Sequence, residues 1–219
     1  MMIRYPGIGH NQGPPLDPET RWRVHSWRKA QEKAWSNPPI ELVRRRSRRA
    51  RELGLSYRAY TAVLLDRGTH LDTVIFDLGG TLVRVADDEV ALNAAGQVEL
   101  LPGVAQTLSQ LANCKVFVVT NQAGVAEGLM SEAQAHDLIA QVNAQVGGRI
   151  DDYRISMDAK DSGSEFRKPR PGMVLDLLRT HGLSPHGAVL VGDSESDRGC
   201  AAAAGLATFV WAADYFGWR

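Results

Sequence analysis

Two short runs constrain this chain more than any other feature: "DTVIFD" at 72–77 and "GAVLVGD" at 187–193. Each is a continuous apolar stretch that stops on an aspartate. An uninterrupted apolar strand has to be covered on both faces, which is the situation of a central strand in a parallel sheet. Three further runs have strand character, "KVFVVT", "YRISM" and "LATFVW". Between the runs lie segments of helical pattern, "LPGVAQTLSQLANC", "SEAQAHDLIAQVNAQV", "PGMVLDLLRTHG" and "ESDRGCAAAAG". Strands that alternate with helices predict an α/β, Rossmann-like domain over residues 71–219: a parallel five-stranded sheet with helices on both faces.

Residues 1–70 read differently. The stretch 1–17 is rich in Gly, Pro and polar residues without periodicity and predicts a flexible tail. Residues 18–70 predict a small all-α module of three short helices. The first, within "PETRWRVHSWRKAQEKAWS", sets Trp22, Trp27, Ala30 and Ala34 near one face; Trp22, Trp27 and Trp35 read as its packing core. "NPP" ends it, and Pro39 suits the first turn of the next helix, "IELVRRRSRRAREL", which stops at Gly54. Ser56 then caps "YRAYTAVLLDR", which stops at Gly68.

The formal net charge of zero conceals an asymmetry between these parts. Residues 1–70 carry 14 Lys/Arg and 6 Asp/Glu, whereas residues 71–219 carry 11 and 19. The basic module has three open readings: phosphate-backbone contact with nucleic acid through residues 21–58, docking on the acidic domain or another protein, or a plain solvated helix face. The two cysteines, Cys114 and Cys200, read as buried free thiols of a reducing compartment. The apolar runs fall short of a membrane span and the N-terminus has no apolar leader, so the expectation is a cytoplasmic protein with no membrane partner. Oligomeric state is open.

In open parallel sheets, ligands sit at the carboxyl ends of the strands. There the sequence places Asp77 with "GGT" beyond it, "TNQ" (Thr120, Asn121, Gln122), and Asp193 in "VGDSESD"; "FRKPRPG", with Lys168, precedes a helix. One carboxylate at a strand end is explained by a turn or a helix cap. Two such carboxylates with a hydroxyl and a lysine at matching positions are not. The ordered set "FDLGGTL", "VVTNQAGV", "FRKPRPG" and "VGDSESD" resembles the haloacid dehalogenase (HAD) superfamily of phosphohydrolases, over roughly residues 71–211.

The resemblance implies a phosphomonoester hydrolase. Asp77 would attack phosphorus and form an aspartyl-phosphate, splitting one hard hydrolysis into two easier steps. Mg²⁺ would be held by Asp77, the Gly79 carbonyl and Asp193, with Asp197 orienting the metal's waters or ligating directly. Thr120 and Lys168 would stabilise the transferring phosphoryl group, and Gly79, Gly80, Asn121 and Arg167 would line the phosphate site. Arg167 reads either as a contact to a second phosphate or as a solvated arginine. No stretch is left for a large cap domain.

The departure is Gly79. The family pattern places a second aspartate two residues after the nucleophile, where it protonates the leaving oxygen and then activates water; such help is worth about 10²–10⁴ in rate. Three readings stay open. Another carboxylate substitutes (Asp87, Asp88 or Glu89, in the loop that folds over the site in this family); the substrate has a good leaving group; or the protein is a phosphate-ligand binder or regulator with impaired turnover. "TNQAGVAEG" and "RKPRPGM" resemble the branch of histidinol-phosphate and heptose-bisphosphate phosphatases and polynucleotide 3′-phosphatases. The Cys/His zinc loop common in that branch is replaced by "MDAKDSGSEF", so no zinc is expected. A phosphorylated small molecule is the expected substrate, and a polynucleotide 3′-end aided by the basic module is the alternative.

Overall fold

The computed structural model describes residues 38–67, 70–86 and 89–218. The tail at 1–17, the first expected helix with its three tryptophans, and Asp87 and Asp88 lie outside the described residues. The chain divides into two compact units, 1–45 and 46–219. In the first, the Leu42 and Val43 amides donate to the Pro39 carbonyl, and Arg44 pairs with Glu41 on the surface.

Helix α1 spans Ile40–Glu52 and α2 Tyr57–Arg67. There follow β1 (Thr73–Phe76), the short strands β2 (Val85–Ala86) and β3 (Glu89–Val90), α3 (Val104–Gln110), β4 (Lys115–Asn121), α4 (Glu132–Gln145) and β5 (Asp152–Ser156). After these come α5 (Gly172–Thr180), a 3₁₀ turn (Pro185–Gly187), β6 (Ala188–Gly192), α6 (Glu195–Ala203), β7 (Thr208–Trp211) and α7 (Ala212–Phe216). Five strands form one sheet in the order β5-β4-β1-β6-β7, every neighbouring pair parallel. The two runs that end in aspartate, β1 and β6, are thus adjacent at the centre, as their continuous apolar character requires.

Because strand side chains alternate between faces, each strand feeds two cores. Val74, Phe76, Val116, Val118, Val189 and Val191 pack on one face with residues of α1 to α4 and α7. Ile75, Phe117, Val119, Ala188 and Leu190 pack on the other with Met173, Val174 and Leu177 of α5 and Cys200 of α6. Cys200 is a buried free thiol, whereas Cys114 is half-buried.

The division expected at residue 70, from the change of pattern and of charge there, is not where the structure divides. Ala50, Leu53, Leu55, Tyr60 and Val63 are buried in the same core as Val74 and Phe76. The Arg49 guanidinium donates to the Leu71, Ala112 and Asn113 carbonyls, so this arginine of the basic run serves the domain's own packing. Surface charge reports what a segment shows to solvent; the apolar positions beneath it decide which core it joins.

The join is tested at Tyr215. Its ring meets Phe76 edge-on at 5.4 Å between centroids, and its hydroxyl donates to the Leu53 carbonyl at 2.8 Å. Tyr215→Phe removes the donor from a buried carbonyl and is expected to cost about 1–3 kcal/mol. Tyr215→Ala also opens a cavity and is expected to cost about 3–5 kcal/mol. Urea unfolding measures both, in a single transition if α1 beyond Arg45 and α2 unfold with the sheet.

Candidate active site

The loop leaving β1 turns tightly, with the Gly80 amide donating to the Val83 carbonyl at 2.9 Å. Gly80 has φ of +72°, and a Cβ there would stand 2.1 Å from Asp193 Oδ2. Only glycine lets this loop pass so close to the end of β6. Asp77, just beyond β1, is buried, and its Oδ2 accepts from the buried Thr81 hydroxyl at 3.4 Å.

The Lys168 ammonium is buried against Asp77 Oδ1, with which it forms an ion pair, and it donates to the Val119 carbonyl at 3.1 Å. It also pairs with Asp197 Oδ1 at 2.6 Å. Asp197 is placed by its own helix. It is the third residue of α6; its amide donates to Ser194 Oγ at 3.3 Å and its Oδ2 accepts from the Ser194 amide at 3.1 Å, a capping box, and Oδ2 also accepts from the Ser194 hydroxyl at 2.6 Å. The other oxygen is left to face the ammonium.

Asp77, Asp193 and Asp197 offer carboxylate oxygens that all lie within 4.8 Å of one another. Against one ammonium, three carboxylates leave two negative charges in excess. Burial pushes Asp77 up to about 6 against the pull of Lys168, with Asp197 and Asp193 adding to the rise. Desolvation and Asp197 likewise raise Asp193. Lys168 is raised above the usual lysine value because Asp77 and Asp197 outweigh its burial. The cluster is short of positive charge, and its hard oxygen donors are those that Mg²⁺ takes.

These groups open into a cavity of about 310 Å³ that Asp77, Gly79, Thr120, Asn121, Arg167, Lys168 and Asp193 all border. Of the residues singled out from sequence, the described structure therefore brings these seven together, with Gly80 and Asp197 directly behind them. Two are committed locally. The Asn121 carboxamide accepts from the Lys168 amide and donates to the Lys168 carbonyl, both at 3.1 Å, so it clamps the lysine's backbone. Arg167 donates to the Asp158 carbonyl at 3.0 Å and still reaches the cavity wall. Glu89, on β3, also borders the cavity. Sequence reasoning missed Thr81, Ser194 and Lys160. Thr81 and Ser194 stood inside quoted motifs, whereas Lys160 stood in a stretch read only for its lack of zinc ligands.

A family model for haloacid dehalogenase-like hydrolases matches residues 85–205. The chain belongs to the haloacid dehalogenase-like hydrolases. Within that family it is similar to named phosphatases. It is 40% identical to D-glycero-beta-D-manno-heptose-1,7-bisphosphate 7-phosphatase of Rhodopseudomonas palustris, over 50% of this chain and 67% of that protein. It is 35% identical to the D-glycero-alpha-D-manno-heptose-1,7-bisphosphate 7-phosphatase of Mycobacterium tuberculosis, over 68% of this chain and 83% of that one. Among solved structures, the D,D-heptose 1,7-bisphosphate phosphatase of Bordetella bronchiseptica, complexed with magnesium and phosphate, superposes with a TM-score of 0.57 at 32% identity. That superposition covers 63% of this chain and 79% of the other. The chain is a HAD-type phosphatase, and among the described residues no helix is long and apolar enough to cross a membrane.

The clamp on Lys168 is testable. Asn121→Ala frees the lysine's backbone and is expected to lower turnover about tenfold or more, a positioning loss of the kind that small misplacements cause. Leaving the two Lys168 backbone groups without partners is expected to cost about 1–3 kcal/mol in urea unfolding.

Proposed function

We propose that this phosphatase is a Mg²⁺-dependent phosphomonoester hydrolase that works through an aspartyl-phosphate on Asp77, with a sugar phosphate of the heptose-1,7-bisphosphate class as substrate. The observation that carries the reading is the charge imbalance at the cavity floor: Asp77, Asp193 and Asp197 around the single Lys168 ammonium. A phosphate dianion brings two further negative charges. Each unit pair at ~4 Å is worth about 4 kcal/mol at an effective dielectric of 20, so the site requires more cationic charge before it can take a phosphate ester.

Asp77, the Gly79 carbonyl and Asp193 would hold the ion, with Asp197 beside them. Bound there, Mg²⁺ would supply the positive charge that a carboxylate nucleophile and a phosphate dianion need to approach one another. Asp77 attacks phosphorus. Lys168, buried and charged, holds Asp77 ionised and offers its positive charge to the transferring group. The Thr120 hydroxyl, buried at the end of β4 and bonded to the Gln122 carboxamide at 3.0 Å, is fixed to donate to a phosphoryl oxygen. Arg167 and Lys160 on the wall favour a substrate with a second anionic group, which supports the bisphosphate class of the relatives.

The test is phosphate release from a heptose 1,7-bisphosphate, hexose monophosphates, 4-nitrophenyl phosphate and a 3′-phosphorylated oligonucleotide, with Mg²⁺ and with EDTA. The bisphosphate is expected to be preferred, and EDTA or Asp77→Asn to abolish release. Equal release by Asp77→Asn sinks the covalent mechanism, preference for the oligonucleotide sinks the substrate class, and no release from any ester sinks the reading as a whole.

A further inference from the structure

The family's usual leaving-group acid is absent at Gly79, and the space it would use is not empty. Strands β2 and β3 pair antiparallel, Val85 with Val90 and Ala86 with Glu89, and form a short hairpin beside the loop that carries Gly79. A Cβ on Gly79 would lie 3.0 Å from Val85 Cγ2, tighter than side chains ordinarily pack. The missing side chain thus lets the hairpin come down against the nucleophile's loop. The hairpin brings Glu89 with it. The Glu89 carboxylate reaches across the opening to the turn after β4, where its Oε1 lies 3.1 Å from the position a Cβ on Gly124 would take. Glycine at 124 leaves that carboxylate its room.

The described residues bordering the cavity include three carboxylates: Asp77, Asp193 and Glu89. Asp77 is the nucleophile of the proposed function, and Asp193 belongs with the ion. Glu89 alone stands outside the charge cluster on the cavity floor, and among the described residues no ion pair engages it. We propose that Glu89, carried on the β2–β3 hairpin, is the general acid and base of this enzyme in place of a side chain at position 79. The inference rests on the aspartyl-phosphate reading above.

In the first half-reaction an Asp77 oxygen bonds to phosphorus while the bond from phosphorus to the leaving oxygen breaks. That oxygen takes the proton of the Glu89 carboxyl. In the second half, a water oxygen bonds to phosphorus and its proton passes to the Glu89 carboxylate. The bond between Asp77 and phosphorus breaks, phosphate leaves, and both carboxyl groups return to their starting states.

The experiment compares wild type and Glu89→Gln on an alkyl ester, the preferred sugar phosphate, and on 4-nitrophenyl phosphate, whose leaving group departs without a proton. Glu89 is only partly buried, so folding should survive; matching urea transitions check this. Alkyl-ester turnover is expected to fall about 10²–10⁴-fold. With the aryl ester, Glu89→Gln is expected to release a burst of one nitrophenolate per enzyme and then stall, with phosphate on Asp77 detectable by mass. A burst is not what a merely structural role produces. Wild-type turnover of both esters by Glu89→Gln, or an equal loss on both without a burst, overturns the assignment while leaving the phosphatase reading intact. A wild-type protein that releases no phosphate from either ester overturns both.

Discussion

Everything at the carboxyl end of this sheet depends on one buried ammonium. A lysine taken out of water alone costs several kcal/mol, and the cost is met only if fixed negative charge and hydrogen-bond acceptors surround it. Lys168 finds Asp77 beyond β1, the Val119 carbonyl inside β4 and Asp197 in the first turn of α6. Those partners come from three separate parts of the chain, so the ammonium is satisfied only when β1, β4 and α6 stand in their native register. Asn121 fixes the lysine's backbone, and the Ser194 capping box fixes the Asp197 carboxylate that faces it. Fold and site are consequently one arrangement. The packing that buries Phe76 and Val191 also delivers Asp77 and Asp193 to adjacent strand ends.

The same arrangement is balanced for a ligand rather than for the ligand-free protein. One ammonium against three close carboxylates leaves the site with an excess of negative charge; burial raises Asp77 and Asp193 first, and the neighbouring carboxylates add to the rise. A chain selected only for stability would replace one of these acids by a neutral residue. Retaining all three makes sense if stability is given up for an electrostatic environment that a cation and a phosphate complete together. Gly80 belongs to the same arrangement: its positive φ, which glycine adopts without strain, lets the loop pass against Asp193 at the end of β6.

How much of this could be read from the sequence follows from the kind of signal each part leaves. The sheet was legible because central parallel strands must be apolar on both faces, and "VIF" and "AVLV" admit little else. The candidate site was legible in its position because open α/β sheets place function at strand ends, so Asp77, Thr120 and Asp193 are marked by position as well as type, and they border one cavity. Asn121 shows what such marks leave out: the resemblance implies a residue lining the phosphate site, and its carboxamide also holds the Lys168 main chain. The two-residue strands β2 and β3 are too short to carry a period, so the hairpin read only as a loop. The boundary was expected near residue 70 because the helical pattern gives way there to alternating strands and helices and the charge changes with it, whereas Leu53, Tyr60 and Val63 join the main core beneath their polar surroundings.

Gly79 ties the chemistry of the site to its shape. A side chain at that position would stand on the tight loop just beyond β1, and it would also press on Val85. Without it, the hairpin can approach, and the Glu89 it carries borders the cavity. The exchange has a physical cost. A group on the end of a buried strand is pre-organised by the core, whereas a group on a two-residue strand must be ordered by few contacts, with Val85 still 38% exposed. Chemistry that depends on the hairpin is therefore sensitive to whatever settles the hairpin, and the bound substrate is the one component certain to be present when the proton moves. A bulky, multiply charged ester that touches both Arg167 and the hairpin would order the group that acts on it, which ties selectivity and turnover to the same contacts.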